Sequence, residues 1–271
     1  MNSKRINLIC FVFVIFCSFK TSYCQEFRHT SGLYSGCAAN TAITEKHMWA
    51  IKANPAMLPF MEQSEIGVDY CTNYSIANIM CSSINACAKG DFLSWGMAYS
   101  IFGNNYFRIS NYKLCAARKL NSNNALGISF NVERTFQETY KATYLIFPEI
   151  AYFGNFEKLS YGVHVINPFQ IISSKENHGV ALFKTTATYQ ITDASDIGIL
   201  LSQDTEGNQT FAIATSYSIQ NKYRFGLAYS TSETPLTITI QLPIRALLIN
   251  YETSCNHYLG FSHTFSFLYM F

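Results

Sequence analysis

The chain ends on Leu259-Gly260-Phe261-Ser262-His263-Thr264-Phe265-Ser266-Phe267-Leu268-Tyr269-Met270-Phe271. Large apolar side chains recur there at every second position, and Phe271 is the final residue. Successive side chains of a β-strand point to opposite faces, so the stretch predicts a last strand with one strongly apolar face.

The same alternation recurs through most of the chain. Large apolar residues alternate with small or polar ones over 93–101, 126–132, 211–217, 225–229 and 236–242. A soluble β-sandwich gives the same period and is the main alternative. A transmembrane barrel is favoured because the second face is small and uncharged, where a water-exposed face would carry Lys and Glu.

Polar turn residues separate the alternating segments and allow the strands to be counted. About 14 strands are expected between residues 65 and 271, an even number as in single-chain bacterial barrels. Their expected spans are 65–73, 77–88, 92–102, 106–120, 124–134, 142–153, 157–166, 180–191, 195–204, 209–219, 223–231, 234–241, 244–252 and 257–271. The fold class is therefore all-β, a single transmembrane antiparallel β-barrel, preceded by a short N-terminal segment that is plug-like by resemblance to a known family.

The composition fits this class. Of 271 residues only 13% are charged and 15% are aromatic, and the charged share is about half that of an ordinary soluble domain. Mean hydropathy is near zero, which is low for a helical membrane protein. The net charge of +2 and the lack of a basic cluster in the mature chain argue against nucleic-acid binding.

The N-terminus has the pattern of a secretory signal. Lys4 and Arg5 precede an apolar run over 6–19, and Ser22-Tyr23-Cys24 precedes Gln25. The expected division is a signal peptide at 1–24, a periplasmic or lumenal segment at 25–62 and the barrel at 63–271. A membrane anchor and a lipid attached to Cys24 are the alternatives. A short helix over 44–53, ended by Asn54-Pro55, is expected within the second segment.

No motif for catalysis, metal or cofactor binding is found, so the chain is interpreted as a non-enzyme without cofactors. Ser262 and His263 are neighbours on one strand and face opposite sides, which separates their side chains. Six cysteines follow the signal, and they are interpreted as small apolar residues, with disulfides as the alternative. They are Cys37, Cys71, Cys81, Cys87, Cys115 and Cys255.

The terminal stretch resembles the C-terminal signal of outer-membrane barrel proteins. In that group the signal, here Phe267, Tyr269 and Phe271, is read by the barrel-assembly machinery. The resemblance implies this machinery and outer-membrane lipid as partners, and the outer membrane of a Gram-negative bacterium as the location.

Four segments in order resemble the PorV/PorQ-like branch of the FadL-type barrels, which occurs in bacteria with type IX secretion. The first, 49–58, contains Trp49, Asn54, Pro55 and Ala56 and is similar to the family's element before the first strand. The others are 102–107, 161–169 and 259–267. The resemblance implies about 14 strands, with the N-terminal segment inside or below the barrel.

The expected function is non-enzymatic, as an accessory or partner subunit of an outer-membrane export or assembly system. The resemblance and the lack of a charged pore lining favour it. The alternative is a FadL-like transporter of hydrophobic small molecules, in which small inward residues leave room for a ligand and Pro148 or Pro168 kinks a strand to open a side exit. A lipid-modifying enzyme and a soluble periplasmic sandwich are further alternatives.

Overall fold

The computed structural model describes residues 47–76, 79–169, 180–220, 223–232, 235–256 and 258–271. The expected signal peptide, residues 25–46 and Cys37 lie outside this part. No helix among the described residues is long and apolar enough to cross a bilayer.

The chain forms 14 strands that close into one barrel, which confirms the expected fold class and strand number. The strands are β1 (Glu65–Thr72), β2 (Met80–Ala88), β3 (Ser94–Gly103), β4 (Phe107–Lys119), β5 (Asn124–Gln137), β6 (Tyr140–Phe156), β7 (Leu159–Ile166), β8 (Leu182–Thr192), β9 (Ser195–Asp204), β10 (Gln209–Ile219), β11 (Tyr223–Ser230), β12 (Leu236–Ile244), β13 (Leu247–Asn256) and β14 (Gly260–Met270).

Every strand pairs antiparallel with its neighbours in sequence, and β1 closes the barrel by pairing with β14. Val68 lies opposite Phe267 in this closing pair, and the amide of Phe271 donates to the carbonyl of Ser64 at 3.0 Å. A closed sheet satisfies its backbone hydrogen bonds internally and has no edge, as a bilayer requires.

The alternation sorts the side chains into an apolar outer face and a smaller, more polar inner face. Ile84, Trp95 and Phe130 point outward and are more than half exposed, whereas Ser83, Ser94 and Asn131 point inward and are buried. A soluble sandwich would bury its large apolar residues between two sheets. That alternative is therefore wrong, and the barrel presents its apolar face to lipid.

The two rims of the barrel differ in the length of their connections. Two residues join β6 to β7, β8 to β9 and β12 to β13, all on the rim that also holds Phe271. The opposite rim carries the longer connection from β7 to β8. Outer-membrane barrels have short periplasmic turns, so the rim with Phe271 is the periplasmic one.

Residues 47–61, named the plug below, precede β1 and lie inside the barrel. The plug consists of one helical turn, α1 (Ala50–Ala53), and a 3₁₀ segment, Pro55–Phe60. The described part of the expected helix over 44–53 is thus a single turn, which ends where Asn54 becomes extended. The plug is largely apolar where it packs against the barrel wall, and its main members in the core are Met48, Trp49, Ile51, Met57, Leu58 and Met61.

Candidate functional site: the plugged lumen

Two parts of the lumen wall are unlike, and β12–β14 complete the ring between β11 and β1. The first wall, formed by β1–β7, holds the plug, whose 3₁₀ segment packs against β3, β4, β5 and β6. The second wall is formed by β8–β11. The contacts that fix the plug to the first wall define the geometry of the lumen.

Two acids of β1 hold the N-terminal part of the plug. The Glu65 carboxylate accepts a hydrogen bond from the Met48 amide at 2.6 Å and lies 2.8 Å from His47 Nδ1. Asp69 accepts from Trp49 Nε1 at 3.2 Å and from Lys52 Nζ at 3.2 Å. Both acids are buried, and hydrogen bonds to a charged acceptor are about twice as strong as neutral ones.

Asn54 fixes the middle of the plug because its side chain both caps the 3₁₀ segment and forms a hydrogen bond to the barrel wall. Its side-chain oxygen accepts from the Ala56 amide at 2.9 Å, and its Nδ2 donates to the carbonyl of Tyr152 on β6 at 3.1 Å. Pro55 follows at the first position of the 3₁₀ segment, where its missing N–H costs nothing and its fixed φ suits the turn.

Glycines of the first wall make room for the plug. A Cβ added to Gly127 would lie 2.6 Å from the Ala56 amide nitrogen, and one added to Gly67 would lie 2.6 Å from the Met48 side chain. Gly96 faces Ile51, and Gly162 faces Asn54. On this wall, the space left by small inward residues is therefore filled by the plug rather than by a ligand.

A buried charge cluster lies on the same wall, centred on Glu149 of β6. Its carboxylate accepts from Lys113 Nζ at 2.6 Å, Ser129 Oγ at 2.8 Å and Asn131 Nδ2 at 2.9 Å. His164 Nε2 lies 2.9 Å from the same carboxylate. Four partners on one buried carboxylate provide the hydrogen bonds that an ion pair needs in a low-dielectric interior.

His164 also connects this cluster to the plug. Its Nδ1 lies 3.0 Å from the carbonyl oxygen of Ala53, at the end of α1. The imidazole therefore lies between the Ala53 carbonyl oxygen and the Glu149 carboxylate, and it can donate to whichever of the two faces its protonated nitrogen. The cluster therefore holds the plug through the imidazole.

The second wall is lined mainly by small, uncharged side chains. Thr186 of β8 lies opposite Leu200 of β9, and Ala214 of β10 lies opposite Ala228 of β11. Leu200, Ala214 and Ala228 form one apolar contact group. This wall can contact an uncharged, weakly polar solute without leaving a charge unpaired.

Charges on the second wall lie towards its ends. Lys184 lies opposite His164 at the border with the first wall. Near the periplasmic rim, Asp196 Oδ2 accepts from Arg224 Nη2 at 2.6 Å, and Ser216 Oγ contacts both residues at 2.9 Å.

The sequence-predicted site residues fall in three places: the plug, the outer face near the periplasmic rim, and the end of the pairing between β6 and β7. Trp49, Asn54, Pro55 and Ala56 are all buried in the plug. Phe267, Tyr269 and Phe271 are exposed on the outer face near the periplasmic rim. These placements do not test the roles assigned to either group.

The two prolines lie near each other at the end of the pairing between β6 and β7. Pro148 is inside β6, whose register with β5 continues on both sides of it, and its carbonyl accepts from the Asn167 amide at 2.9 Å. Pro168 lies just beyond the end of β7, in the turn. A side exit at these prolines stays a prediction.

Ser262 and His263 point to opposite faces, as the alternation predicts. Ser262 Oγ accepts from the Tyr74 amide at 2.9 Å, and His263 Nδ1 lies 2.9 Å from the Tyr251 hydroxyl. Among the described residues, no group of three His, Cys, Asp or Glu side chains is placed to bind a metal. Four of the five described cysteines are buried, and Cys255 is half-buried.

The sequence interpretation of an uncharged lining was wrong. Glu65, Asp69, Lys113 and Glu149 are buried inside the barrel, and none was singled out. The sequence did contain a signal for these buried charges. Each of the four residues occupies an inward position of an alternating strand, where a charge requires a buried partner.

Comparison with solved structures shows what this architecture resembles. The Pseudomonas putida toluene transporter TodX superposes with a TM-score of 0.60 at 11% identity, covering 83% of this chain and 94% of that one. The CymD monoaromatic hydrocarbon channel gives 0.60 at 10% identity, covering 83% and 93%. A Pseudomonas aeruginosa FadL homologue gives 0.57 at 9% identity, covering 93% and 100%.

The fold is that of the FadL-type outer-membrane barrels. At these identities the likeness concerns the fold alone. No family model matches the chain, and no curated protein matches it.

Proposed function

We propose that the chain is a channel for small hydrophobic molecules in the outer membrane of a Gram-negative bacterium. The observation that carries this proposal is the second lumen wall, where Leu200, Ala214 and Ala228 form an uncharged apolar strip. The first wall is occupied by the plug, so a solute crossing the barrel would follow the second.

The likeness to solved structures supports the transporter alternative over the accessory-subunit interpretation. TodX and CymD are described as a toluene transporter and a monoaromatic hydrocarbon channel. Two features found independently in this chain, a plugged lumen and an apolar inner strip, suit the same class of solute. No contact within the described residues favours an accessory role.

The wall chemistry suits a solute that must bind weakly and leave. Small side chains leave room for a planar ring, and Leu200 and the alanines offer only dispersion contacts, which are individually weak. Thr186 and Thr188 keep the neighbouring surface wettable.

Two adjacent leucines of β9 provide a matched test. Leu200 faces the lumen and Leu201 faces lipid, where it is about half exposed. Uptake of radiolabelled toluene would be measured in Gram-negative cells that express equal amounts of folded barrel. Leu200→Trp should slow uptake several-fold by narrowing the lumen, while Leu201→Trp should leave uptake unchanged. Equal uptake by both variants, or none above empty vector in the wild type, would overturn the proposal.

The finer assignments belong to the same proposal. The four ordered motifs, beginning with Trp49, Asn54, Pro55 and Ala56, support placement in the PorV/PorQ-like branch, with type IX secretion in the host. Cleavage after Cys24 and recognition of Phe267, Tyr269 and Phe271 by the barrel-assembly machinery would bring the chain to the outer membrane. Affinity purification from outer membranes, with partners identified by mass spectrometry, tests whether secretion subunits accompany it.

A further inference from the structure

A groove of about 860 Å³ lies on the lipid-facing side of β1–β5, near the periplasmic rim. The alternation explains its origin. Outward positions on these strands usually carry large side chains, but β2 and β4 carry alanines there, at Ala86, Ala88 and Ala116. The alanines form the floor of the groove. Its walls include Trp95, Met97 and Phe130.

The register shows that the floor and walls belong to one continuous surface. Ala88 lies opposite Trp95, and Trp95 lies opposite Ala116 on its other side. In the next row, Met97 lies between Ala86 and Leu114. No plug residue lines the groove, so it is separate from the lumen site.

A cation marks the periplasmic end of the groove. Arg118 is exposed and lines the groove, and its guanidinium lies 3.9 Å from the ring centroid of Phe92. Lys119 follows it on β4, also exposed, with its Nζ 4.9 Å from the Phe60 ring centroid. The exposed Asp91 of the nearby turn between β2 and β3 lies outside the groove lining.

Glu65 also lines the groove, but its carboxylate is committed to the plug. Both of its oxygens point inward, one to the Met48 amide and one to His47. Among the side chains that line the groove, the charge available to an occupant is therefore the guanidinium of Arg118, near the periplasmic rim.

We infer that the groove binds a phospholipid of the periplasmic leaflet, with its acyl chains along the alanine floor and its phosphate against Arg118. An apolar channel with a cation at one end is complementary to an amphiphile with an anionic head. A guanidinium is suited to phosphate because its planar fork presents two parallel N–H donors. The inference requires that the barrel spans the membrane, and it does not depend on what the lumen transports.

The native tryptophans supply a probe of occupancy. Trp95 lies in the groove and more than half of it is exposed, whereas Trp49 is buried in the lumen. Phospholipid brominated in its acyl chains, titrated into the detergent-solubilised full chain, should quench the Trp95 fluorescence and saturate. Lipid that merely surrounds the barrel would give a quench that rises without saturating.

Two pairs of variants test the site. Ala116→Phe fills the floor and should abolish the saturable quench. Ala187→Phe, the control on the outward face of β8, should leave it intact, because Ala187 is also a small outward residue but lies far from the groove. Arg118→Gln should weaken the apparent affinity about three- to fivefold, in the range of an exposed ion pair. Arg245→Gln, in the turn between β12 and β13, should not.

The alternatives give distinguishable results. If Arg118→Gln has no effect and a brominated alkane quenches as well as the phospholipid, the groove holds an uncharged hydrophobe and the proposal is wrong. It is also wrong if the wild type is a dimer that Ala116→Phe dissociates, since a second copy then covers the groove. If quenching rises linearly with added lipid in the wild type and in all four variants, the groove has no specific lipid site and the proposal is wrong. None of these outcomes changes the toluene result expected for Leu200→Trp.

Discussion

The two lumen walls share one strand geometry but differ in what they bury. The β1–β7 wall combines glycines with buried charges, and nearly all of these contact the plug or support residues that do. The β8–β11 wall carries threonines and alanines, and its Asp196–Arg224 pair remains partly exposed. The plug is therefore a component of the core, since the wall facing it is shaped and charged to receive it.

The largest expected effect is from Glu149→Ala. Removing this carboxylate breaks the buried ion pair with Lys113, and breaking a buried pair in this way costs about 3–5 kcal/mol. The measurement is the free energy of unfolding in urea for the detergent-solubilised barrel. The double variant Glu149→Leu with Lys113→Met, which removes both charges, should recover most of the loss. A loss below about 1 kcal/mol would refute the picture of a charged, buried cluster.

A smaller effect is expected from Gly127→Ala. The added methyl meets the backbone of Ala56 at 2.6 Å, and overpacking of this kind typically costs about 1–3 kcal/mol. Because the plug rather than the barrel must give way, Trp49 fluorescence should shift towards that of a water-exposed indole while the strand content stays unchanged. Ile128→Ala, at the neighbouring lipid-facing position, should leave the fluorescence of Trp49 unchanged. An unshifted spectrum in Gly127→Ala would mean that the plug does not press on this wall.

The smallest effect is expected from Asp196→Asn. This acid resembles Glu149 in having a cationic partner, at 2.6 Å from Arg224, but about a fifth of its side chain is exposed. Solvent screens such pairs, so the loss should be about 1 kcal/mol or less in the same urea assay. A loss as large as that of Glu149→Ala would remove the distinction between the two walls.

The strands could be predicted from the sequence because the residue type at each position depends on whether that position faces lipid or the lumen. A residue facing lipid must be apolar and one facing inward need not be, so the alternation, divided by polar turn residues, located the 14 strands. The plug could be placed in or below the barrel only by resemblance. Its anchors could not be derived, because Asp69 and Trp49 are 20 positions apart and no local pattern joins them.

Predictions failed where pairing across the chain decides the environment. Glu149 and Lys113 lie 36 positions apart, so the local sequence around either charge does not indicate its partner. The lipid-facing groove likewise depends on three alanines from two strands, which the register brings together.

The strand β1 takes part both in closing the barrel, at its seam with β14, and in holding the plug. The two strands that meet there are nearly 200 positions apart in the closing register, Val68 facing Phe267, so this contact forms only after the rest of the chain is present. The strand that completes the ring also carries Glu65 and Asp69, the acids that hold the start of the plug. Closure of the barrel and anchoring of the plug therefore depend on the same strand, the first through its backbone and the second through its acidic side chains.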